Sequence, residues 1–324
     1  MTDFPPRTAL RICFAHAAYR MQERFAARAT GLASFEVRDA ASLAARIGEA
    51  DVLVVSGLWR NDLIAAAPKL RLIQSISAGT DQYDRAALAA AGIRLASAAG
   101  VNAEAVAEHA IALTLALARR LGEARDNQSK RHWRGMIGDL AQREDEIAGK
   151  TMLIVGLGRI GGRLAGLAKA FGMRVIGVRR DPAGGLNGAD EIHALADLPA
   201  LLGQAHYVVL TCPLTPATER LMNAATLAAM RPGSFLINCA RGRCVEEAAL
   251  AAALHARHLA GAALDVAVTE PPPPDWPFWA MENVLVSPHS GGETRAYEDN
   301  VIDLLIENLA RLGRGEMVLK NGVV

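Results

Sequence analysis

The sequence predicts an α/β protein made of two doubly wound parallel sheets, a larger unit and a smaller one, and three observations lead there. Short apolar runs alternate with helical patterns over most of the 324 residues, which implies strands covered by helices on both faces. The alternation runs through twice, once in residues 1–100 and again from about 150 to 286, and the length suits two domains. At the start of the second, an apolar strand ending at Val155 runs directly into Gly156-Leu-Gly158-Arg-Ile-Gly161.

Taken in order, residues 10–15, 35–37, 51–55, 70–76 and 93–96 read as the first set of strands, with helical stretches at 19–28 and 84–91 between them. A long helix over 103–120 is apolar on several sides and so is mostly buried. Strands follow at 152–155, 174–178, 207–210, 234–237, 261–264 and 284–286, and a last helix spans 293–312 and stops near Gly313. The run Pro271-Pro272-Pro273-Pro274 fits neither a helix nor a central strand and forms a stiff surface loop.

Composition excludes several classes. With 51% hydrophobic and 21% charged residues and a net charge of +1, the chain has no electrostatic footprint for nucleic acid or an acidic membrane surface. No apolar run reaches membrane-spanning length, and the start, Met-Thr-Asp-Phe-Pro-Pro-Arg, has no hydrophobic leader. Cys13, Cys212, Cys239 and Cys244 are scattered in strand-like contexts without metal-ligand spacing. The expectation is a cytoplasmic protein with buried free thiols and no metal.

In the glycine turn, Gly156 permits the tight bend, Gly158 lets a pyrophosphate approach the backbone, and Gly161 lets the following helix pack close. Leu164, Ala168 and Phe171 give that helix an apolar face, and its free N–H groups point at the phosphates. A glycine-rich turn without a ligand is the bland alternative. The strand before it and the helix after it weigh against that reading.

Polar residues end three later strands. Arg241 follows Leu-Ile-Asn-Cys-Ala, at the carboxyl edge where such sheets bind ligands, and its planar fork suits a carboxylate. Asp265 ends the next strand and Glu270 follows before the prolines; taken alone, both read as solvated loop carboxylates. His289 is locked after a strand by Pro288 and released into Gly291-Gly292. A carboxylate beside a His raises its pKa and fixes its tautomer, so Glu270 and His289 together make an acid usable near neutral pH. If the three converge, Arg241 holds the acid group of a 2-keto acid, a nicotinamide delivers hydride, and His289 protonates the oxygen.

With these residues in place, the chain resembles the D-isomer-specific 2-hydroxyacid dehydrogenase family over nearly its whole length. The matching segments are Ser75-Ile-Ser-Ala-Gly-Thr-Asp81, Gly100-Val-Asn-Ala-Glu-Ala-Val-Ala-Glu108-His, Gly149-Lys-Thr with the glycine turn, Asn238-Cys-Ala-Arg241-Gly, Ala263-Leu-Asp265-Val with Glu270-Pro, and Ser287-Pro-His289-Ser-Gly-Gly. The resemblance implies a Rossmann domain over 101–291 and a flavodoxin-like substrate lid made of 1–100 plus 292–324, closing on hinges near 100–102 and 290–292. It implies Arg241, Glu270 and His289 as the catalytic set. Cofactor contacts would come from Val106, Gly156, Gly158, Arg159, Ile160, Gly161, Arg179, Arg180, Cys212, Pro213, Cys239, Ala240, Arg241, Asp265, His289 and Gly291. Substrate contacts would come from Trp59, from the loop at Ser77, Ala78 and Gly79, and from Arg241 and His289. It further implies a homodimer joined through the nucleotide domain and residues 119–147.

Two arginines, Arg179 and Arg180, close the second strand, where a carboxylate would mark a preference for NAD(H). Guanidinium groups bind a 2′-phosphate, so NADP(H) is preferred and NAD(H) remains possible, Asp181 being the alternative acidic residue. The expected substrate is glyoxylate, hydroxypyruvate or a related small 2-keto acid, reduced to the D-2-hydroxy acid. Trp59 and Arg60 follow the 51–55 strand, where a packing role for Trp59 is as reasonable as a substrate contact. Glu270 argues against the formate-oxidising branch and Ala78 against the phosphite-oxidising one. Ending at Val324, the chain leaves no room for the regulatory domain that phosphoglycerate dehydrogenases often add, a soft argument against them. An NAD(H)-sensing corepressor of the same fold and an NAD-dependent phosphoglycerate or other D-2-hydroxyacid dehydrogenase are the competing readings.

Overall fold

The computed structural model describes residues 4–6 and 9–324. Contacts divide the chain into two compact units, one formed by residues up to Asn102 with Glu293–Val324, the other by Ala103–Gly292.

In the first unit, β1 (Arg11–Ala15), β2 (Ala33–Val37), β3 (Val52–Val55), β4 (Leu72–Ser75) and β5 (Arg94–Ala96) form one parallel sheet in the order β2-β1-β3-β4-β5. This is a doubly wound, flavodoxin-like order. The β3 and β4 side chains are all buried, as expected when both faces of a parallel sheet are covered. Helices α1 (Met21–Ala26), α2 (Ala40–Arg46) and α3 (Arg85–Ala90) flank it. The side chains of Asp39 and Asp84 cap α2 and α3 by accepting from the N–H groups of Ser42 and Ala87; such a cap is worth about 1 kcal/mol.

The C-terminal helix, here numbered α10 (Tyr297–Gly313) because six helices precede it in the second unit, packs on the first sheet. Val301, Ile302, Leu305 and Leu309 join Ile12, Phe14 and Phe25 in one apolar cluster. Fully buried Asn308 in α10 donates to Gln74 Oε1 (3.0 Å) and to the Lys320 carbonyl (3.2 Å), and accepts from the Lys320 N–H (2.8 Å). The tail beyond it bridges back to β5, Ala96 pairing with Gly322.

The second unit holds α4 (Ala103–Ala118), α5 (Leu121–Ser129), β6 (Thr151–Val155), α6 (Arg159–Ala170), β7 (Arg174–Arg179), β8 (Glu191–Ala194), α7 (Leu198–Leu202), β9 (Tyr207–Leu210), α8 (Ala224–Ala229), β10 (Phe235–Asn238), α9 (Glu247–His255), β11 (Gly261–Leu264) and β12 (Val284–Val286). Its seven parallel strands run β12-β11-β10-β9-β6-β7-β8. That is the Rossmann order with a seventh strand added at one edge, and the order reverses between β6 and β9. Helices α4 and α6 cover one face with Ala107, Ala110, Leu164 and Ala168, and α7, α8 and α9 cover the other with Leu202, Leu227 and Leu250.

The fold class is as predicted, with two departures in detail. Edge strand β8, with a half-buried Glu-Ile-His-Ala sequence, carries too weak an apolar signal to be read. Phe171, expected on the buried face of α6, lies past its end and is 44% exposed. All four cysteines are free and buried, Cys13 in the first unit and the other three in the second; burial pushes the Cys13 thiol up to about 12. No helix among the described residues is long and apolar enough to cross a membrane, and no group of side chains among them could hold a metal ion.

Candidate functional site

Because all seven strands of the second unit are parallel, the loops leaving β6, β7, β9, β10, β11 and β12 emerge at one edge of the sheet. That edge carries Gly156–Gly161, Arg179–Arg180, Cys212–Pro213, Cys239–Arg241, Asp265 and His289–Gly291.

The glycine turn has the shape its spacing predicts. Gly156 sits at φ +104°, and a Cβ there would lie 2.5 Å from the Cys212 nitrogen, so the β6 and β9 loops meet at the switch in strand order. A Cβ on Gly161 would lie 2.4 Å from the Gly156 carbonyl oxygen, so α6 starts against the turn. Gly158, the residue before α6, has open space where its side chain would be. A backbone bared at a helix N-terminus fits a pyrophosphate, and the residues present suit a dinucleotide. Ile160 is half-buried against the α4 side of the core, where Val106 is buried, and Arg159 is exposed.

At the end of β7, Arg179 is half-buried and donates to the Gly184 carbonyl (3.3 Å), while Arg180 is exposed. Asp181 accepts from the Ala183 N–H (3.0 Å), an Asx turn that commits its carboxylate locally. Cys212, Cys239 and Ala240 are buried and Pro213 is exposed. Burial raises the Cys239 thiol, whereas in Cys212 a hydrogen bond with Cys244 is the larger cause of a raised value, burial the second.

His289 and Glu270 meet: Nδ1 lies 2.7 Å from Oε2, and Glu270 Oε1 accepts from the Ala267 N–H (3.0 Å). The hydrogen bond to Glu270 raises the His289 pKa, more than burial lowers it. For Glu270, burial works upward, but the bond to His289 and the Ala267 N–H bring the net value down. Both shifts favour the ion-paired form, Glu270 ionised and His289 protonated, in which Nδ1 is committed to Glu270 and Nε2 is not. His289 stands at φ +54°, a left-handed backbone unusual outside glycine. Arg241 begins the turn after β10, its backbone carbonyl accepting from Asn238 Nδ2 (3.0 Å) and its guanidinium donating to the Ala240 carbonyl (2.8 Å). Its charge acts on both Glu270 and His289.

Asp265 is not a solvated loop group, contrary to what it suggests alone, whereas Glu270 is exposed and yet committed to His289. Asp265 is 4% exposed and holds the β12 loop: Oδ1 accepts from Ser287 Oγ (2.7 Å) and the Ser290 N–H (3.0 Å), Oδ2 from the Gly291 N–H (3.1 Å). Burial raises its pKa, yet hydrogen bonds from His109 and Ser287 bring it below the ordinary value. His109 and Ser287 carry no role in the sequence reading. The available signal was a histidine on a mostly apolar helix and a serine two residues before His289. A cavity of about 400 Å³ adjoins the pair, walled by Pro271, Trp276 and Trp279.

In the first unit, the loop after β4 carries Ser77, Ala78 and Gly79, all half-buried. The Ser77 N–H is spent on Ser75 Oγ (3.1 Å) and its hydroxyl pairs with Ser56 (2.5 Å). Trp59, 5% exposed, is part of the core, tilted against Tyr83 and donating through Nε1 to Asn61 (2.9 Å). Arg60 pairs with Asp62 at the surface.

Comparison with known proteins adds independent weight. The sequence model of the family described as "D-isomer specific 2-hydroxyacid dehydrogenase, NAD binding domain" matches residues 111–291. The glyoxylate reductase of Korarchaeum cryptofilum is 34% identical over 259 residues, 79% of this chain and 77% of that one. The D-3-phosphoglycerate dehydrogenase of Synechocystis is 35% identical over 277 residues, 84% of this chain but 47% of that one, so the chain spans about half the length of that relative. Among solved structures, the NADPH-dependent glyoxylate/hydroxypyruvate reductase of Sinorhizobium meliloti, in complex with NADP and malonate, matches with a TM-score of 0.80 at 28% identity, covering 98% of this chain and 97% of that one. A Rossmann-ordered sheet, an open glycine turn at its switch point and a Glu-bound histidine at the same edge agree with these matches, and the chain belongs to the D-isomer specific 2-hydroxyacid dehydrogenase family.

Proposed function

We propose that this protein reduces a small 2-keto acid such as glyoxylate or hydroxypyruvate to the D-2-hydroxy acid, with NADPH as the preferred reductant. The observation that carries the reading is the His289–Glu270 pair, a histidine whose pKa is raised by a carboxylate 2.7 Å away, at the sheet edge that also bears the glycine turn. A nicotinamide cofactor, when bound, supplies the hydride. Arg241 binds the substrate carboxylate and polarises the ketone, and His289 Nε2 gives the proton to the carbonyl oxygen. Glu270 keeps that proton in place until it is needed. In the reverse direction His289 accepts it.

The preference for NADPH rests on Arg179 and Arg180, and the local engagement of Asp181 Oδ1 counts against the acidic alternative. The Sinorhizobium protein, described as NADPH-dependent, is in line with it. A homodimer is proposed through residues 119–147, where Trp133 (97% exposed), Met136 and Leu140 form the kind of bare apolar surface that marks an association site. Sedimentation of the purified chain, with Trp133→Glu as the control, checks it.

The deciding experiment is a panel of 2-keto acids with each cofactor, followed by loss of nicotinamide absorbance. Turnover of glyoxylate or hydroxypyruvate with a higher kcat/KM for NADPH is expected. Turnover confined to the phosphorylated keto acid 3-phosphohydroxypyruvate with NADH would establish the second reading, which the 35% identity to a phosphoglycerate dehydrogenase favours. Binding of cofactor without any turnover would point to a sensor.

A further inference from the structure

On α4, among the apolar residues that fix the helix to its sheet, His109 is a polar exception, its side chain 23% exposed. Its Nε2 lies 2.9 Å from Ser287 Oγ and 3.3 Å from Asp265 Oδ1. Ser287 has one hydroxyl proton, and an ionised Asp265 brings none to their 2.7 Å contact, so that proton belongs between them. Nε2 of His109 therefore has to be the donor, which fixes the ring as carrying a proton there. Asp265 then receives four donors: Ser287, Ser290, Gly291 and His109. Three of these belong to the turn that carries His289.

That turn needs holding. A non-glycine residue at φ +54° costs roughly 1–2 kcal/mol, so it persists only where its surroundings impose it. The packing is close as well, since a Cβ on Gly291 would lie 2.8 Å from Asp265 Oδ2 and 3.1 Å from the His109 ring.

We infer that His109 is a positioning residue: as the Nε2–H tautomer it fixes Asp265 and Ser287, and through them keeps the 287–291 turn where His289 meets Glu270. The inference builds on the proposed reductase reading, in which His289 is the proton donor. The charged and titratable groups acting on His289 are Glu270, Arg241 and Asp265; His109 reaches it only through Asp265 and the turn.

The test compares His109→Phe, which keeps the ring volume and loses the donor, with His109→Gln, which retains an N–H near the same point. Ser287→Ala is a second break in the same network. Two readouts are taken: the pH dependence of 2-keto acid reduction, and the NMR titration of the His289 ring without substrate, assigned with His289→Gln. For His109→Phe and Ser287→Ala, the His289 midpoint should fall toward 6.5. The kcat should drop at least about tenfold, with the KM for NADPH little changed. His109→Gln should recover most of both. A His109→Phe protein that melts earlier but leaves the His289 titration in place would make His109 a packing residue and overturn the inference, as would a Gln variant no better than Phe. Because the titration needs no substrate, it still reports if no 2-keto acid is reduced.

Discussion

On the proposed reading, in which His289 is the proton donor, Glu270 sets the pH at which it works. Reduction uses the protonated ring, so its rate should fall as pH rises through the raised His289 value, and oxidation should show the opposite limb. Glu270→Gln removes the largest cause of the shift, so the reductive limb should move to lower pH and kcat should fall about 10²-fold or more. A pH–rate profile of the variant checks this. The same pair has a signature in folding. A raised His289 adds stability below its ordinary value of 6.5, lost as pH rises through the folded one. A lowered Glu270 adds stability above its ordinary 4.5, lost as pH falls through the folded one. The pair therefore contributes most between those two values. That contribution is small, because the side chains are 47% and 38% exposed and water screens them. At the other end of the site, Arg179→Asp should cut kcat/KM for NADPH by about 10–100-fold and leave NADH far less affected, read by paired kinetics. His289 was readable in the sequence because Pro288 and the two glycines frame it. The work of Asp265 was not, since its partners lie on α4 and the β12 loop and meet only in the fold.

At the scale of the element, the loop after β10 is braced by one glycine. A Cβ at Gly242 would lie 2.0 Å from the Ala267 carbonyl carbon and 2.3 Å from the Val268 nitrogen, and both atoms are backbone. Gly242→Ala should therefore displace the segment that leads to Glu270. It should cost about 1–3 kcal/mol by denaturant titration and lower kcat as well. Buried central strands were legible because both faces are apolar, as in β6 and β9. Edge strand β8 was not, because one covered flank leaves room for Glu191 and His193. Trp59 shows the opposite limit: its position after β3 was readable, but its partners, Tyr83 and Asn61, belong to tertiary structure.

Over the whole molecule, each unit has its own sheet and its own pair of apolar layers. Asn308→Leu would leave Gln74 and the Lys320 backbone without their buried partner in the first unit, at a cost of about 1–3 kcal/mol. Thermal unfolding should register the loss, while titration with NADPH should show unchanged affinity if the 103–292 unit holds the nucleotide by itself.

The buried thiols lend each unit an internal clock. A sulfhydryl shut away from solvent reacts with an alkylating reagent only while the structure around it is transiently open, so its labelling rate measures the frequency of that opening. Cys13 times the first unit, while Cys212, Cys239 and Cys244 time the second. A nucleotide that closes over the second unit's sheet edge should slow those three and leave Cys13 ticking at its original rate.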